Sequence, residues 1–470
     1  MSFVFYDAET TGTHTAFDQI LQFAAIRTDH ELNELERFEI RCRLLPHIAP
    51  SPSAMLITGT TAGELIDPKL PTHYEMIRAI HGKLLSWAPT VFVGFNSLHF
   101  DEHLLRQAFY QTLHPIYLTN TGGNCRADAM RVVQMASIFA PGALVCPVDD
   151  WGENTFKLEH LARANGAAHL KPHDALGDVG ATISLCRMLL ERAPDIWSTF
   201  LRFSQKSSVH EYASAETVFS LSDFYHGRPY SWIVSLVGTN PSNRSELVVF
   251  DLAMDPNDLR DLHEDDLAAR LAEFPRPVRR IRSNACPIIM LIDDAPDIAS
   301  SKCLGRDELE RRAQVLAEDE PLRNKLISTL EQIRDAKETS IYVEQQIYDG
   351  FYSPSDEEIL HRFHDVAWKD RIQLIAKLED RRLRELGLRL LYFERPEFLD
   401  DEVRQDIQMQ TLGRLTQTQI TDAWLTLPSA IQQTDELLIT ATGEEASCLR
   451  EHRKLLLERM ERLTATHVRV

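Results

Sequence analysis

The first 193 residues alternate short apolar runs with stretches in which apolar residues recur every three or four positions. Four runs rich in β-branched and aromatic residues predict strands, namely VFYDAET, LQFAAIRTD, FEIRCRLL and TVFVGFNS. Three stretches predict amphipathic helices, namely DEHLLRQAFYQTL, FKLEHLARANG and DVGATISLCRMLLERA. Strands that alternate with helices are typical of an α/β domain, which we assign to residues 1–193.

The pattern changes twice further along the chain. After residue 193, SWIVSLVGTNPSNRSELVVFDLAM predicts two strands joined by an Asn/Pro/Ser turn, and PVRRIRSNACPIIML predicts another strand. Beyond residue 336 the pattern is almost wholly helical, with a break at Pro396 and the acidic LDDE. We therefore predict a β-rich domain with attached helices at 194–336 and a helical domain at 337–470.

Composition changes this picture mainly through charge. The chain has 470 residues, of which 44% are hydrophobic and 26% charged, as in soluble globular proteins with several cores. No apolar run approaches the roughly 18 residues of a membrane span, and no signal peptide is visible, so we expect a cytoplasmic protein without membrane contact. The seven scattered cysteines never form CxxC, which argues against disulfides and a zinc ribbon. The net charge of −20 argues against nucleic-acid binding unless Lys and Arg cluster locally.

Asp7 and Glu9 follow directly on the apolar residues of the first predicted strand. Residues two apart on a strand point to the same face and lie roughly 6.5–7 Å apart, so we expect the two carboxylates to project together. Like charges on one face repel each other unless a cation lies between them. A metal ion is one explanation for this pair, and a solvated loop is the other.

Further acidic residues come at the ends of predicted strands and at the starts of helices. Asp101 opens a helix after the strand TVFVGF, where an acidic residue also serves as a plain helix cap. His173, Asp174 and Asp178 cluster at the start of the last helix of the first domain. Asp174 has the position of a cap, whereas Asp178 is followed by small residues and would need a partner if it were buried.

Taken together, these residues predict a hydrolytic metal site. Asp7, Glu9, Asp101 and Asp178 offer hard oxygen ligands, which select Mg²⁺ or Mn²⁺. Two such ions about 3.5–4 Å apart can clamp the attacking and leaving oxygens of a phosphodiester. His173 adds a base that titrates near neutral pH and can take a proton from the attacking water.

The spacing of these residues resembles the DEDDh superfamily of 3′→5′ exonucleases. The pattern is Asp7-x-Glu9, then Asp101, then His173-x₄-Asp178, and every position carries the expected residue type. The resemblance implies that the four acids bind two Mg²⁺ ions, for which Mn²⁺ substitutes, and that His173 is the general base.

Longer segments are similar to bacterial exonuclease I, among them YDAETTGTH, LQFAAIRTD, FKLEHLARANGAAH, SWIVSL and VEQQIYDGFYSPSD. This similarity covers nearly the whole chain. It implies a ribonuclease-H-like exonuclease domain, an SH3-like β domain and a C-terminal helical domain that close around a DNA strand. The implied activity is processive 3′→5′ hydrolysis of single-stranded DNA to 5′-mononucleotides in repair and recombination. The implied partners are single-stranded DNA and the tail of single-stranded-DNA-binding protein, and we expect a monomer.

The resemblance also implies that Glu9, Lys157 and Arg106 contact the substrate. Lys157 stands where the family often has an arginine, so it keeps the charge but lacks the bidentate fork. We do not carry over the partner-binding site, because the loop IDDAPDIASSKCLG is acidic.

Basic and aromatic residues elsewhere are candidates for DNA contacts. They are PRPVRRIR at 275–282, Arg381, Arg382, Arg384 and Arg389, and the aromatic residues Tyr230, Trp232, Phe351 and Tyr352. The alternatives are a salt-bridged helix face for the arginine series and a β-domain core for Trp232.

Two other functions stay open at this point. The same chemistry could act on RNA or short oligonucleotides, as in ribonuclease T or oligoribonuclease, but those relatives are much shorter. A non-catalytic DNA-binding or scaffold protein could use the same fold. Such a protein would not need the complete set of Asp7, Glu9, Asp101, His173 and Asp178 that this sequence has, which argues against this alternative. A small-molecule phosphodiesterase would not need residues 194–470.

Overall fold

The strand that carries Asp7 and Glu9 lies at the centre of a five-stranded sheet. The computed structural model describes residues 2–167, 174–301, 303–333, 339–418 and 423–467. The strands of this sheet are β1 (Phe3–Thr10), β2 (Ile20–Thr28), β3 (Glu34–Arg41), β4 (Val91–Gly94) and β5 (Cys125–Asp128). Their spatial order is β3-β2-β1-β4-β5, with β1 antiparallel to β2 and parallel to β4.

Helices cover both faces of this sheet. They are α1 (Pro52–Thr58), α2 (Ala62–Leu65), α3 (His73–Trp87), α4 (Asp101–Gln111), α5 (Ala129–Phe139), α6 (Leu158–Ala164), α7 (Ala175–Arg192) and α8 (Pro194–Phe203). The next helix, α9 (Lys206–Ala215), packs instead on the second sheet described below. Phe3 and Phe5 of β1 pack into one core with α5, α7 and α8, whereas Val4 and Tyr6 pack into the opposite core with α3 and α4. Because β1 is buried on both faces, its sequence is a continuous apolar run.

A second five-stranded sheet forms the SH3-like region. It contains β6 (Phe219–Tyr225), β7 (Arg228–Thr239), β8 (Glu246–Asp251), β9 (Val278–Arg282) and β10 (Ile288–Leu291), in the antiparallel order β10-β6-β7-β8-β9. Its attached helices are α10 (Asn257–Arg260), α11 (Glu264–Ala272), α12 (Arg306–Glu318) and α13 (Glu320–Gln332). The predicted pair of strands around the Asn/Pro/Ser turn is confirmed as β7 and β8.

The strand predictions were wrong or incomplete in four places. The predicted strand FEIRCRLL begins four residues earlier as β3, because an edge strand keeps its pairing to β2 without a continuous apolar run. The segment PVRRIRSNACPIIML forms two strands at opposite edges of the sheet, and Cys286 between them has a positive φ of 49°. The strands β5 and β6 were not predicted at all.

The C-terminal region is helical, as predicted. Its helices are α14 (Pro354–Phe363), α15 (Trp368–Ile375), α16 (Arg381–Glu394), α17 (Asp401–Thr416), α18 (Leu427–Leu438) and α19 (Gly443–His467). Buried residues of α14 to α16 share one apolar core with Val4 and Tyr6 of β1, so this region packs directly on the first domain. Among the helices in the described ranges, none is long and apolar enough to cross a membrane.

The helix α8 begins at the first residue of the predicted second domain but packs on the first sheet. Its Trp197 lies 6.0 Å from Phe3 between ring centroids, and Phe200 joins the same core. The boundaries at 193/194 and 336/337 stay predictions.

Candidate active site

The central strand and α7 bring three predicted metal ligands together. Asp7 and Glu9 pair with Ala24 and Gln22 of β2 and project from one face of the sheet. Asp178 lies in the first turn of α7, which packs against β1 and β2. One carboxylate oxygen each of Asp7, Glu9 and Asp178 lies within 4.8 Å of the other two.

Asp101 approaches this cluster from the start of α4. It lies close enough to Glu9 for the charge of that acid to raise the pKa of Asp101. The loop before α4 is held by a buried acid that we did not predict, Asp128. Its carboxylate accepts hydrogen bonds from the backbone N–H groups of Asn96 at 2.7 Å and Leu98 at 3.3 Å. A sequence signal for Asp128 existed, since it ends a strand immediately before a helix, but its partners are 30 residues away or more.

Asp174 binds the start of α7 to the sheet and does not cap the helix with its side chain. It occupies the N-cap position, but its side chain accepts no hydrogen bond from the helix backbone. It instead accepts one from Arg41 Nη2 at 2.8 Å and one from Gln22 Nε2 at 3.0 Å. The ion pair therefore ties the beginning of α7 to the sheet, four residues before Asp178. His173 lies outside the described residues, so its role as a base stays a prediction.

Burial and mutual repulsion raise the pKa values of the clustered acids. Burial raises the pKa of Asp7 well above its ordinary value, and the charges of the neighbouring acids raise it further. The pKa of Glu9 is raised to about 7 by burial and then by the charge of Asp178. Burial also raises the pKa of Asp101 to about 8. These carboxylates therefore favour either protons or a cation at neutral pH.

The donor set suits a hard divalent cation. All the candidate ligand atoms in this cluster are carboxylate oxygens, which is the type of donor that holds Mg²⁺ and Mn²⁺. A cation between Asp7, Glu9 and Asp178 would replace the protons and remove the repulsion. The residues present thus fit the metal site that the sequence predicts.

We expect stabilisation by Mg²⁺ to grow as the pH rises from 5 to 8, because the cation competes with protons for acids whose pKa values are raised. At about 100 times its dissociation constant, the ion should add about 2.7 kcal/mol to the free energy of unfolding at the higher pH. Thermal unfolding in EDTA and in Mg²⁺ at several pH values measures this. An increment that does not change with pH would contradict the assignment.

A cleft of about 1150 Å³ opens at the acidic cluster, with Asp178 in its wall. The exposed Lys157, which precedes α6, lines the same cleft. Tyr225 and Tyr230 of the second sheet contribute another part of the wall, so the first and second regions of the chain share this cleft. Lys157 thus offers a positive charge near Asp178, although its contact with substrate stays a prediction.

Arg106 is buried below the site and does not line the cleft. Its Nε donates to Glu102 Oε1 at 2.7 Å. Glu102 is 1% exposed and accepts three further hydrogen bonds, from Tyr6 at 3.0 Å, Thr119 at 2.6 Å and Arg126 at 3.1 Å. Arg106 thus forms a buried ion pair in this structure, and its contact with substrate stays a prediction. Sequence reasoning missed Glu102, although its spacing of four residues from Arg106 is a helical ion-pair signal.

Family comparisons agree with this architecture. An exonuclease family model matches residues 4–186, an exonuclease I SH3-like domain model matches residues 209–332, and an exonuclease I C-terminal domain model matches residues 342–458. The chain belongs to the bacterial exonuclease I family. The resemblance seen in the sequence is confirmed, and so is the predicted fold class of a ribonuclease-H-like exonuclease domain, an SH3-like domain and a C-terminal helical domain.

Individual relatives of the exonuclease I family match along most of the chain. Exodeoxyribonuclease I of Escherichia coli is 29% identical over 402 residues, which cover 82% of this chain and 84% of that protein. The structure of a moderately thermophilic exonuclease I from Methylocaldum szegediense has a TM-score of 0.84 at 26% identity and covers 97% of this chain and 99% of its own. The complex of Escherichia coli exonuclease I with a dA16 oligonucleotide has a TM-score of 0.83 at 25% identity. The match covers 98% of this chain and 99% of the Escherichia coli chain.

In this member of the exonuclease I family, a second groove of about 670 Å³ adjoins the cleft, and Tyr225 lines both. We call it the arginine groove because it is lined by Arg131, Arg276, Arg279, Arg280 and Arg282. A row of rings leads towards it, with 5.5 Å between Tyr225 and Tyr230 and 6.2 Å between Tyr230 and Trp232. The Arg279 guanidinium lies 3.6 Å above the Trp232 ring, which is largely buried and also forms part of the β-domain core.

The other basic and aromatic candidates have varied surroundings. Three arginines of the α16 series are paired with acids: Arg381 with Glu385, Arg382 with Asp380, and Arg389 with Glu344. The pairing agrees with the salt-bridged alternative, but Arg382 is buried and does not lie on a solvated face. Arg384 donates to backbone carbonyl oxygens. Phe351 is 92% exposed, whereas Tyr352 packs beside Arg382.

Proposed function

We propose that this chain hydrolyses single-stranded DNA from its 3′ end and releases 5′-mononucleotides. The observation that carries the proposal is the group of carboxylates whose oxygens lie within 4.8 Å at a cleft, in a chain of the exonuclease I family. Family membership makes the chain an exonuclease; the direction, the DNA substrate and the roles of the residues are the proposed part.

In this proposal, Asp7, Glu9, Asp101 and Asp178 hold two divalent ions, Mg²⁺ by preference with Mn²⁺ as a substitute. Bound ions of this kind lower the pKa of water and neutralise charge on a leaving oxygen. His173 takes the proton of the attacking water, whose oxygen bonds to the terminal phosphorus while the bond to the 3′ oxygen of the preceding nucleotide breaks. Lys157 contacts the phosphate.

The substrate class is supported by the surface that continues from the cleft. A backbone of negative phosphates fits a groove lined by five arginines, and exposed Tyr225 and Tyr230 offer faces on which bases stack without regard to sequence. The relative from Escherichia coli has been seen bound to dA16. Three of the five arginines, Arg131, Arg279 and Arg280, also pair with the acids Asp223, Asp251 and Glu246. The exposed Arg276 and Arg282 are therefore the side chains that we expect to offset the overall charge of −20 at this place.

The family resemblance leads us to propose the remaining features as well. They are processive digestion, a role in DNA repair and recombination, recruitment by the tail of single-stranded-DNA-binding protein, a monomeric state and a cytoplasmic location. We do not propose that the partner binds at the acidic loop 292–305. In this loop, Asp293 pairs with Arg306.

A panel of labelled strands tests the proposal. We expect a 5′-labelled single-stranded DNA to shorten stepwise in Mg²⁺, while a 3′-labelled strand releases its label as a mononucleotide at once. RNA of the same sequence and blunt duplex DNA should be degraded much more slowly. Preferential degradation of RNA would favour the ribonuclease alternative, and binding without degradation would favour the scaffold alternative.

Reversing the charge of arginines in the arginine groove should weaken the binding of long strands without changing the rate of hydrolysis in the cleft. For the exposed pair Arg276→Glu and Arg282→Glu, we expect KM for a long strand to rise at least 10-fold and its salt dependence to decrease, because phosphate contacts are lost. The kcat for a short oligonucleotide that reaches only the cleft should stay within about twofold of wild type. A matched control reverses Arg37 and Arg453, which line neither the cleft nor the groove. An equal change in KM for both double variants would mean that only the net charge matters.

A further inference from the structure

The loop that follows directly on Glu9 is a closed unit. This β1–β2 loop runs from Thr11 to Gln19, and the backbone N–H of Thr11 donates to the carbonyl oxygen of Gln19 at 3.0 Å. Asp18 closes it from inside, because its carboxylate accepts from Thr11 Oγ1 at 2.8 Å and from the backbone N–H of His14 at 2.7 Å. These hydrogen bonds brace the loop directly beside the end of β1.

One side chain of this loop is buried in the C-terminal domain. Phe17 is 4% exposed and makes edge-on contacts with Tyr342 at 5.9 Å and Trp424 at 5.4 Å between ring centroids. The guanidinium carbon of Arg414 lies 4.9 Å from the Phe17 ring centroid. We call Tyr342, Arg414 and Trp424 the Phe17 cage.

The Phe17 cage is itself held in place by buried ion pairs. Arg414 Nη1 donates to Glu344 Oε1 at 2.5 Å, and the same oxygen accepts from Arg389 at 2.6 Å. The indole N–H of Trp424 donates to the backbone oxygen of Arg414 at 2.9 Å. Glu344 is 3% exposed, so these pairs are shielded from solvent and fix the cage more firmly than surface pairs would.

The pairing of β1 with β2 is irregular at the point where the loop begins. The register shifts between Glu9 and Thr10, so the regular ladder ends at a predicted metal ligand. Beyond that point, the contacts of the loop determine how the end of β1 is aligned. Hydrogen bonds tie the loop to the first domain, from Ser51 N–H to the carbonyl oxygen of Thr11 at 2.8 Å and from Gln111 Nε2 to that of Ala16 at 3.1 Å. The aromatic contacts of Phe17 outside the loop are instead with residues of the C-terminal domain.

We propose that Phe17 is a positioning residue through which the C-terminal domain aligns Glu9 in the active site. The inference rests on the proposed function, since it assigns an effect on hydrolysis. It gives the C-terminal domain a part in catalysis that does not depend on contact with DNA. A displacement of about 1 Å at a catalytic group can cost about 100-fold in rate, so the loss of this anchor should be visible in kcat.

The test compares two aromatic contacts that join the same two domains. Phe17→Ala removes the contact next to the site, and Trp368→Ala removes the contact with Tyr74 of α3, where the ring centroids lie 5.1 Å apart. On a short oligonucleotide, we expect Phe17→Ala to lower kcat about 10- to 100-fold with KM nearly unchanged. Trp368→Ala should lower the melting temperature to a similar extent but leave kcat unchanged. Phe17→Leu, which still fills the cage, should recover most of kcat.

Each outcome separates the inference from the proposed function. If wild type does not degrade single-stranded DNA, the proposed function fails. If wild type is active and the two alanine variants lose kcat equally, or neither loses it, Phe17 is only a packing residue. Should Phe17→Ala not fold, Trp424→Ala opens the Phe17 cage from the other domain and carries the same expectation.

Discussion

Asp7→Asn is expected to lower the rate of single-stranded DNA hydrolysis by about 10³-fold or more, because each ligand supports several kcal/mol of charge stabilisation. Asp7 lies on the central strand, and its carboxylate oxygen is within 4.8 Å of those of Glu9 and Asp178. The amide has the same shape as the carboxylate but carries no charge, so the fold should persist while the cation is bound poorly. Initial rates in saturating Mg²⁺ measure this directly.

The same variant should be at least as stable as wild type in EDTA. The raised pKa of Asp7 means that its charged form opposes folding, and the penalty grows as the pH rises above the ordinary value of an aspartate. Asp356→Asn is the matched control, because Asp356 is buried and accepts backbone hydrogen bonds from Glu379 and Asp380 far from the cluster. It should lose about 1–3 kcal/mol of stability and keep its activity. If Asp7→Asn retained its activity, the proposal that Asp7 binds a catalytic metal ion would be contradicted.

Glu102→Gln should cost about 3–5 kcal/mol of unfolding free energy, because it leaves the buried Arg106 and Arg126 without their counter-charge. Urea denaturation measures the loss. Tyr6→Phe is the matched control, since it removes one neutral donor from the same carboxylate and should cost only about 1 kcal/mol. A loss below about 1 kcal/mol in Glu102→Gln would mean that Arg106 can leave its ion pair, and this would favour the substrate contact predicted from the sequence.

Much of the fold was accessible from the sequence because the relevant patterns are local. A strand buried on both faces shows as a continuous apolar run, so β1 and β4 were predicted close to their observed positions. The edge strand β3 was placed too late and β6 was missed, because partners elsewhere in their sheets stabilise these strands and their own periodicity is weak. The single strand predicted for PVRRIRSNACPIIML is divided because its two halves pair at opposite edges of one sheet.

The active site shows the same limit. Asp7, Glu9, Asp101 and Asp178 could be named because strand ends and helix starts can be predicted from local sequence. The structure brings carboxylate oxygens of Asp7, Glu9 and Asp178 within 4.8 Å of one another. The side of α4 on which Arg106 lies could not be determined from the sequence, so its buried ion pair with Glu102 was not predicted.

The supporting residues were missed for a related reason. Asp128 acts on a loop more than 30 residues away, and Phe17 is enclosed by residues more than 300 positions later in the chain. Contacts of this kind leave no periodic signal in one sequence.

The central claim is that the carboxylate cluster binds the divalent ions on which hydrolysis depends. The most direct measurement titrates Mg²⁺ into metal-free protein and follows bound ion and the shortening of a 5′-labelled single strand in the same samples. For wild type, the rate should rise in step with occupancy and vanish when EDTA is added, and Asp7→Asn should show neither tight binding nor shortening. Full-rate shortening in excess EDTA, or wild-type rates in Asp7→Asn, would contradict the account.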